Sequence, residues 1–337
     1  MKPGATSAET SKVLQTIRKA GLKTDVMHGE FQNVIGIIGD EKKIDFDSLE
    51  LLPGVQEVLS IQVPYRLVSR SYIREDVVVN LPGGLRIGGD NPPIVIAGPC
   101  SIESYEQLSR IAKKVKHAGA KVLRGGAYKP RTSIHSFQGL GLEGLKHLKR
   151  VSEDLDLPTV TEVRSEFDVK TVARYADILQ IGARNMYNQD LIEASAKTGK
   201  PILLKRGFSS QIDEYLSFAE RIAAHGNKKI MLCERGITPL GGSFKPQTRF
   251  TLDLNAVPLL KKETPFPVIV DPSHGTGRRD LVLPMSKAAV ACGADGLIVE
   301  VHDKPEEALS DGAQALDPAD LAKLVESCKI VYEAARN

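Results

Sequence analysis

The chain has 337 residues, 42% of them hydrophobic, which excludes a disordered polymer and supports a sizeable core. Its 45 Lys and Arg against 42 Asp and Glu leave a net charge of +3, arguing against a general nucleic-acid or membrane-surface binder while leaving room for local basic clusters. There is no apolar run of about 18 residues to span a membrane, residues 1–12 are polar without a signal-peptide segment, and Cys100, Cys233, Cys292 and Cys328 stand too far apart for a disulfide framework, so a reducing cytoplasm is the expected compartment.

In chain order, a helical pattern runs from Ser7 to Ala20 and a short apolar run from Asn33 to Ile38. A second helix-like stretch at 47–52 ends at Pro53-Gly54, and a strand-like run follows from Val58 to Val68. This predicts a small α+β domain over residues 1–70, βαββαβ in plan, with the opening strand of that plan missing. Residues 71–92 are a linker and a hairpin turning at Pro82-Gly83-Gly84. From residue 93 to 337 the pattern becomes regular, with eight apolar runs at 94–98, 122–125, 158–162, 178–182, 201–205, 229–234, 267–271 and 296–301. Amphipathic helical patterns such as 105–117, 142–155, 212–224 and 281–291 lie between them, and 318–335 closes the chain. Near-continuous apolar strands alternating with helices mark a parallel sheet buried on both faces. Eight units predict an α/β fold of the (β/α)8 TIM-barrel type. A doubly wound open sheet is the alternative, but no G-x-G-x-x-G follows the first strand.

In such a barrel the chemistry sits at the C-terminal strand ends. Those ends carry two groups. Arg124, Lys129, Arg131, Arg184, Lys205 and Arg235 would converge on one mouth, where they repel one another unless anions occupy it; phosphates and carboxylates of small substrates fit. Cys100, His274, Glu300 and Asp311 form the second group. Singly, each has a structural reading: a small core residue, a loop histidine, a turn former before Gly312. Together, one thiolate, one imidazole and two carboxylates suit a divalent transition metal. Glu162 also lies at a strand end.

The motifs Gly98-Pro-Cys-Ser-Ile-Glu103, Lys129-Pro-Arg-Thr-Ser133 with Ser136-Phe-Gln-Gly-Leu140, Ile181-Gly-Ala-Arg-Asn185, Leu204-Lys-Arg-Gly207 and Asp271-Pro-Ser-His-Gly-Thr276 resemble 3-deoxy-D-arabino-heptulosonate 7-phosphate (DAHP) synthases. The likeness is to the microbial subtype with a compact barrel and an N-terminal ferredoxin-like regulatory domain. It implies an aldol-like condensation of phosphoenolpyruvate with erythrose 4-phosphate, releasing phosphate, at the entry to the shikimate pathway. It further implies metal ligation by Cys100, His274, Glu300 and Asp311, the ion being Mn²⁺, Fe²⁺, Zn²⁺ or Co²⁺. Phosphoenolpyruvate contacts would be Arg124, Lys129, Arg184, Lys205, Arg235 and the Ala183 backbone. Pro130, Arg131, Thr132 and Ser133 would form the aldose-phosphate loop, and Asp271 a hydroxyl contact. Lys129 would pass a proton to the new alkoxide, and Glu162 would position the water. The implied partners are the small phosphorylated substrates, an aromatic amino acid as effector and further copies in a homotetramer, without nucleic acid or membrane. The alternatives are the sister enzyme using arabinose 5-phosphate, against which the Lys-Pro-Arg-Thr-Ser loop argues, and a catalytically silent effector-binding barrel.

Overall fold

The structure is a computed structural model and describes all residues except 30, 41–42, 60–63, 130–136, 240–246 and 337. The chain divides into two compact units, Met1–Val63 and Pro64–Asn337.

The first unit runs α1 (Ser7–Lys19), β1 (Lys23–His28), β2 (Asn33–Ile38) and α2 (Phe46–Glu50). A capping box starts α1: Thr6 Oγ1 accepts from the Glu9 amide, and the Glu9 carboxylate accepts from the Thr6 amide at 2.7 Å. The strands pair antiparallel, Lys23 opposite Ile38 and His28 opposite Asn33. Val13, Ile17, Leu22, Leu49 and Val55 form the unit's own core. The sequence reading did not anticipate β1, whose residues are mostly polar and either exposed or only partly buried.

The strand expected over 58–68 is not one at its described end. Pro64 has no amide to donate to a ladder, Arg66–Val68 is a short 3-10 turn, and Tyr65 and Val68 are buried in the core of the second unit. The Val68 amide donates to Glu220 Oε2 at 3.1 Å and the Tyr65 hydroxyl to Glu263 at 3.3 Å. These contacts place the division of the chain at 63/64, ahead of the expected residue 70.

The second unit opens with the hairpin of β3 (Val79–Asn80) and β4 (Arg86–Ile87). The barrel strands are β5 (Ile94–Gly98), β6 (Val122–Arg124), β7 (Thr159–Val163), β8 (Ile178–Ile181), β9 (Ile202–Lys205), β10 (Ile230–Glu234), β11 (Val268–Val270) and β12 (Gly296–Glu300). All pair in parallel, and β12 pairs with β5 to close the barrel. The helices around and above them are α3 (Tyr105–His117), α4 (Leu142–Leu155), α5 (Val169–Tyr175), α6 (Gln189–Ala196), α7 (Ile212–Ala224), α8 (Ala256–Glu263), α9 (Pro272–Thr276), α10 (Arg279–Ala291) and α11 (Pro318–Ala335). Among the described residues no helix is long and apolar enough to cross a membrane.

Strand alternation decides what reaches the mouth. Ile96, Val122, Val160, Ile178, Leu203, Cys233, Ile269 and Ile298 share the interior cluster, whereas their neighbours Val95, Ala97, Leu123, Leu179, Leu204, Val270, Leu297 and Val299 pack outward with the helices. Two residues beyond each interior side chain stand Gly98, Arg124, Glu162, Gln180, Lys205, Arg235, Asp271 and Glu300. The expected hairpin is present, and it supplies Val79, Leu81 and Ile87 to the same interior cluster.

Candidate active site

Cys100 follows β5, Glu300 ends β12, and Asp311 lies in the loop after it. Their ligand atoms lie within 4.8 Å of one another. Asp311 takes a left-handed backbone, φ 50°, which Asp tolerates better than most residues. A Cβ on the next residue, Gly312, would come within 2.1 Å of the Pro305 carbonyl. The Asp-Gly pair is therefore what lets the loop turn the carboxylate towards Cys100, whose Sγ is 3.4 Å from Asp311 Oδ2 and 2.9 Å from Ser310 Oγ.

His274, on α9, is not one of these three and meets the group through Glu300. Asp271 caps that helix, accepting from the His274 amide at 2.9 Å and lying 2.8 Å from Nδ1. Lys205 Nζ also donates to Asp271. Burial would raise the Asp271 pKa, but His274 and Lys205 hold it well below the carboxylate range. Burial pulls the His274 pKa below its ordinary value against the opposing pull of Asp271 and Glu300, with Nδ1 facing Asp271. Its Nε2 faces Glu300 Oε1 at 3.3 Å. Burial also opposes ionisation of Glu300, yet His274, Arg124 and Lys129 hold its pKa at about 2. Gln314 donates to Oε2 at 2.7 Å, while Oε1 is buried with no hydrogen bond among the described residues. An imidazole nitrogen and a carboxylate oxygen facing each other, a nearby thiol and a second carboxylate are a donor set that a divalent cation satisfies; the residues fit a metal.

The cations sort into distinct states. Arg124 Nη2 is 3.2 Å from Glu300 Oε1, but its Nε and Nη1 are buried with no hydrogen-bond partner among the described residues. Lys129 Nζ lies 3.0 Å from both the Cys100 carbonyl and Sγ. Burial and Glu300 push the Cys100 thiol up to about 12, Lys129 pulling the other way. Burial works against the Lys129 charge, but Cys100 and Glu300 raise its pKa, so it stays protonated. Lys205 is buried against Asp271. Arg235 is buried and makes no ion pair among the described residues; its guanidinium lies over Phe250 and Phe208, 4.0 and 4.8 Å from the ring centroids. Arg184 is exposed on the turn Ala183–Asn185 after β8, and Ala183 is buried. Pro130, Arg131, Thr132 and Ser133 lie outside the described residues.

Glu162 accepts from Gln180 Nε2 at 3.1 Å, and a Cβ at Gly182 would fall 2.1 Å from its Oε1, so glycine there leaves room for the carboxylate. Arg206, also at a strand end, is a structural cation. It pairs with Glu234 at 2.9 Å and Asp253 at 2.8 Å and bonds the Ser210 carbonyl twice. Sequence reasoning missed Gln314, Arg249 and the Phe208–Phe250 pair. Gln314 stands three residues after Asp311, the one positional hint available.

Residues 72–335 match the family described as DAHP synthetase I, and residues 1–63 match the DAHP synthase ferredoxin-like domain. The chain is 48% identical over 334 residues to a phospho-2-dehydro-3-deoxyheptonate aldolase of Thermotoga maritima, covering 99% of this chain and 97% of that protein. The crystal structure of a Thermotoga maritima DAHP synthase matches with a TM-score of 0.92 at 48% identity, over 99% of this chain and 96% of that one. A 2-dehydro-3-deoxyphosphooctonate aldolase of Desulfosudis oleivorans is 34% identical over 269 residues, 74% of this chain and 94% of the relative. Barrel, mouth and small N-terminal unit thus agree with one assignment: the chain belongs to the DAHP synthetase I family and carries that family's ferredoxin-like domain.

Proposed function

We propose that the barrel mouth performs the DAHP synthase reaction with a specific division of labour among its residues. Phosphoenolpyruvate, erythrose 4-phosphate and water give DAHP and phosphate, the first step of the shikimate pathway. Arg124 carries the reading: a buried guanidinium with two donors lacking partners, beside the Cys100, Glu300 and Asp311 group, asks for an anion.

Arg124, Lys129, Arg184, Lys205, Arg235 and the Ala183 backbone bind phosphoenolpyruvate, and Pro130, Arg131, Thr132 and Ser133 bind the aldose phosphate. Cys100, His274, Glu300 and Asp311 would hold a divalent metal (Mn²⁺, Fe²⁺, Zn²⁺ or Co²⁺). When bound, that ion supplies Lewis-acid polarisation of the aldehyde. Asp271 fixes the His274 ring so that Nε2 faces the group, while its oxygens also engage Lys205. Lys129, protonated and buried beside Cys100, delivers a proton to the alkoxide formed when the vinyl carbon attacks the aldehyde. The cation set stabilises negative charge on the departing phosphate, and Glu162, held by Gln180, orients the water that adds to the phosphate-bearing carbon. The ferredoxin-like unit binds an aromatic amino acid as effector, and the enzyme works in the cytoplasm as a homotetramer.

The test is phosphate release on mixing phosphoenolpyruvate with each aldose phosphate. Turnover with erythrose 4-phosphate and none with arabinose 5-phosphate is expected. The reverse preference would move the reading to the sister enzyme, and no release with either, in metal-supplemented protein, would refute catalysis.

A further inference from the structure

Phe208, three residues beyond β9, and Phe250 stack with ring centroids 5.1 Å apart and planes at 4°. Three guanidiniums gather on them: Arg235 over both rings, Arg184 5.6 Å from the Phe208 centroid and Arg249 5.9 Å from that of Phe250. The stack is anchored from several sides. Thr238 N donates to the Phe208 carbonyl at 2.7 Å, and Phe250 N donates to the Gly275 carbonyl at 3.1 Å, beside His274. A Cβ on Gly236 would fall 2.8 Å from that of Phe250, so the glycine next to Arg235 lets the ring approach.

We propose that the Phe208–Phe250 stack is a positioning platform that holds Arg235, flanked by Arg184 and Arg249, for the phosphate of phosphoenolpyruvate. This rests on the assignment of Arg184 and Arg235 to that substrate. The contrast with Arg206 gives the reason: Arg206 is neutralised by two carboxylates, whereas the only hydrogen bond Arg235 makes among the described residues is to the Gly236 carbonyl at 3.3 Å. Ring faces attract a guanidinium through their quadrupole without cancelling its charge. Cations brought close together repel one another; Arg249 is partly met by Asp311 at 3.8 Å, whereas Arg235 makes no ion pair among the described residues that an incoming phosphate would have to break. Burial pulls the Arg235 pKa below its ordinary value, with Arg249 adding to the effect and Asp271 opposing it, as expected of a cation awaiting an anion.

The experiment compares Phe208→Leu and Phe250→Leu with Phe208→Tyr, Phe250→Tyr and Arg235→Ala in the full-length, metal-loaded enzyme. Readouts are KM for each substrate, kcat, and calorimetric binding of phosphoenolpyruvate without the aldose. The leucine variants should raise the phosphoenolpyruvate KM and Kd about tenfold, leave the erythrose 4-phosphate KM within about twofold, and be rescued by tyrosine. Ring-fluorinated phenylalanine at both positions, which weakens the quadrupole while nearly keeping the shape, should weaken phosphoenolpyruvate binding in step with fluorination and keeps the test open should leucine unfold the loop. Unchanged phosphoenolpyruvate affinity in the leucine or fluorinated proteins, with Arg235→Ala impaired, would overturn the platform and leave the cation assignment standing. Unchanged affinity in Arg235→Ala would overturn both.

Discussion

Arg124 and Arg206 both end or follow barrel strands and both are buried, yet the structure assigns them opposite consequences on mutation. In Arg124→Met the stem is kept and the guanidinium removed. One pairing, to Glu300 at 3.2 Å, is lost, and two buried donors without hydrogen bonds disappear with it. An unsatisfied buried donor costs about 1–3 kcal/mol, which offsets the lost pairing, and His274 and Lys129 still face Glu300. Stability should therefore change by no more than about 1 kcal/mol. Binding should suffer instead: a charge-assisted hydrogen bond to substrate is worth about 1.5–3 kcal/mol, so the phosphoenolpyruvate KM should rise between about ten- and a hundredfold at 1.4 kcal/mol per decade. In Arg206→Met, Glu234 is left buried without its cation. Breaking a buried pair in this way costs about 3–5 kcal/mol. Urea unfolding monitored by circular dichroism gives the stabilities, and the loss of phosphoenolpyruvate absorbance gives the kinetics. If Arg124→Met is as destabilised as Arg206→Met, and the surviving folded enzyme keeps its phosphoenolpyruvate KM, then the two unpartnered donors do not mark an anion site and the reasoning is wrong.

Four further outcomes are expected. Cys100→Ala should abolish activity while leaving the circular dichroism spectrum intact, and chelation should inactivate the wild type until divalent metal is restored; full turnover of a metal-free preparation would contradict this. Arg131→Ala should raise the KM for erythrose 4-phosphate far more than that for phosphoenolpyruvate, by a factor corresponding to about 1.5–3 kcal/mol, with Arg235→Ala showing the reverse; steady-state kinetics with each substrate varied in turn decide it. Ile87→Ala, which empties a fully buried position in the cluster inside the barrel, should cost about 2–5 kcal/mol in urea unfolding with both KM values unchanged. Deleting residues 1–63, a compact unit with its own core, should leave catalysis largely intact and remove inhibition by tyrosine or phenylalanine. Titrating both amino acids against the two proteins tests it, and inhibition that survives the deletion would put the effector site in the barrel.

The barrel was legible in the sequence because its strands are buried on both faces, which forces near-continuous apolar runs; all eight expected runs coincide with β5 to β12 to within a residue or two. The same geometry gathers the candidate residues at one end, since the polar residue ending each run has few places to go but the mouth. Strand β1 was not legible, because Lys23–His28 is largely exposed and carries no buried apolar face to give it a period. Nor could the strand ends be sorted by residue type. Arg124 and Arg206 look alike in sequence, and what separates them is whether carboxylates meet them in space. The partners of Arg206 lie 28 and 47 residues away, and the Gln314 amide that bonds one Glu300 oxygen stands 14 residues on. Composition and periodicity determined the fold and the list of chemical groups, because both follow from local burial. Which charges cancel, which lie over aromatic rings and which keep donors without partners among the described residues depends on distances between residues remote in the chain, and only the closed barrel sets those distances.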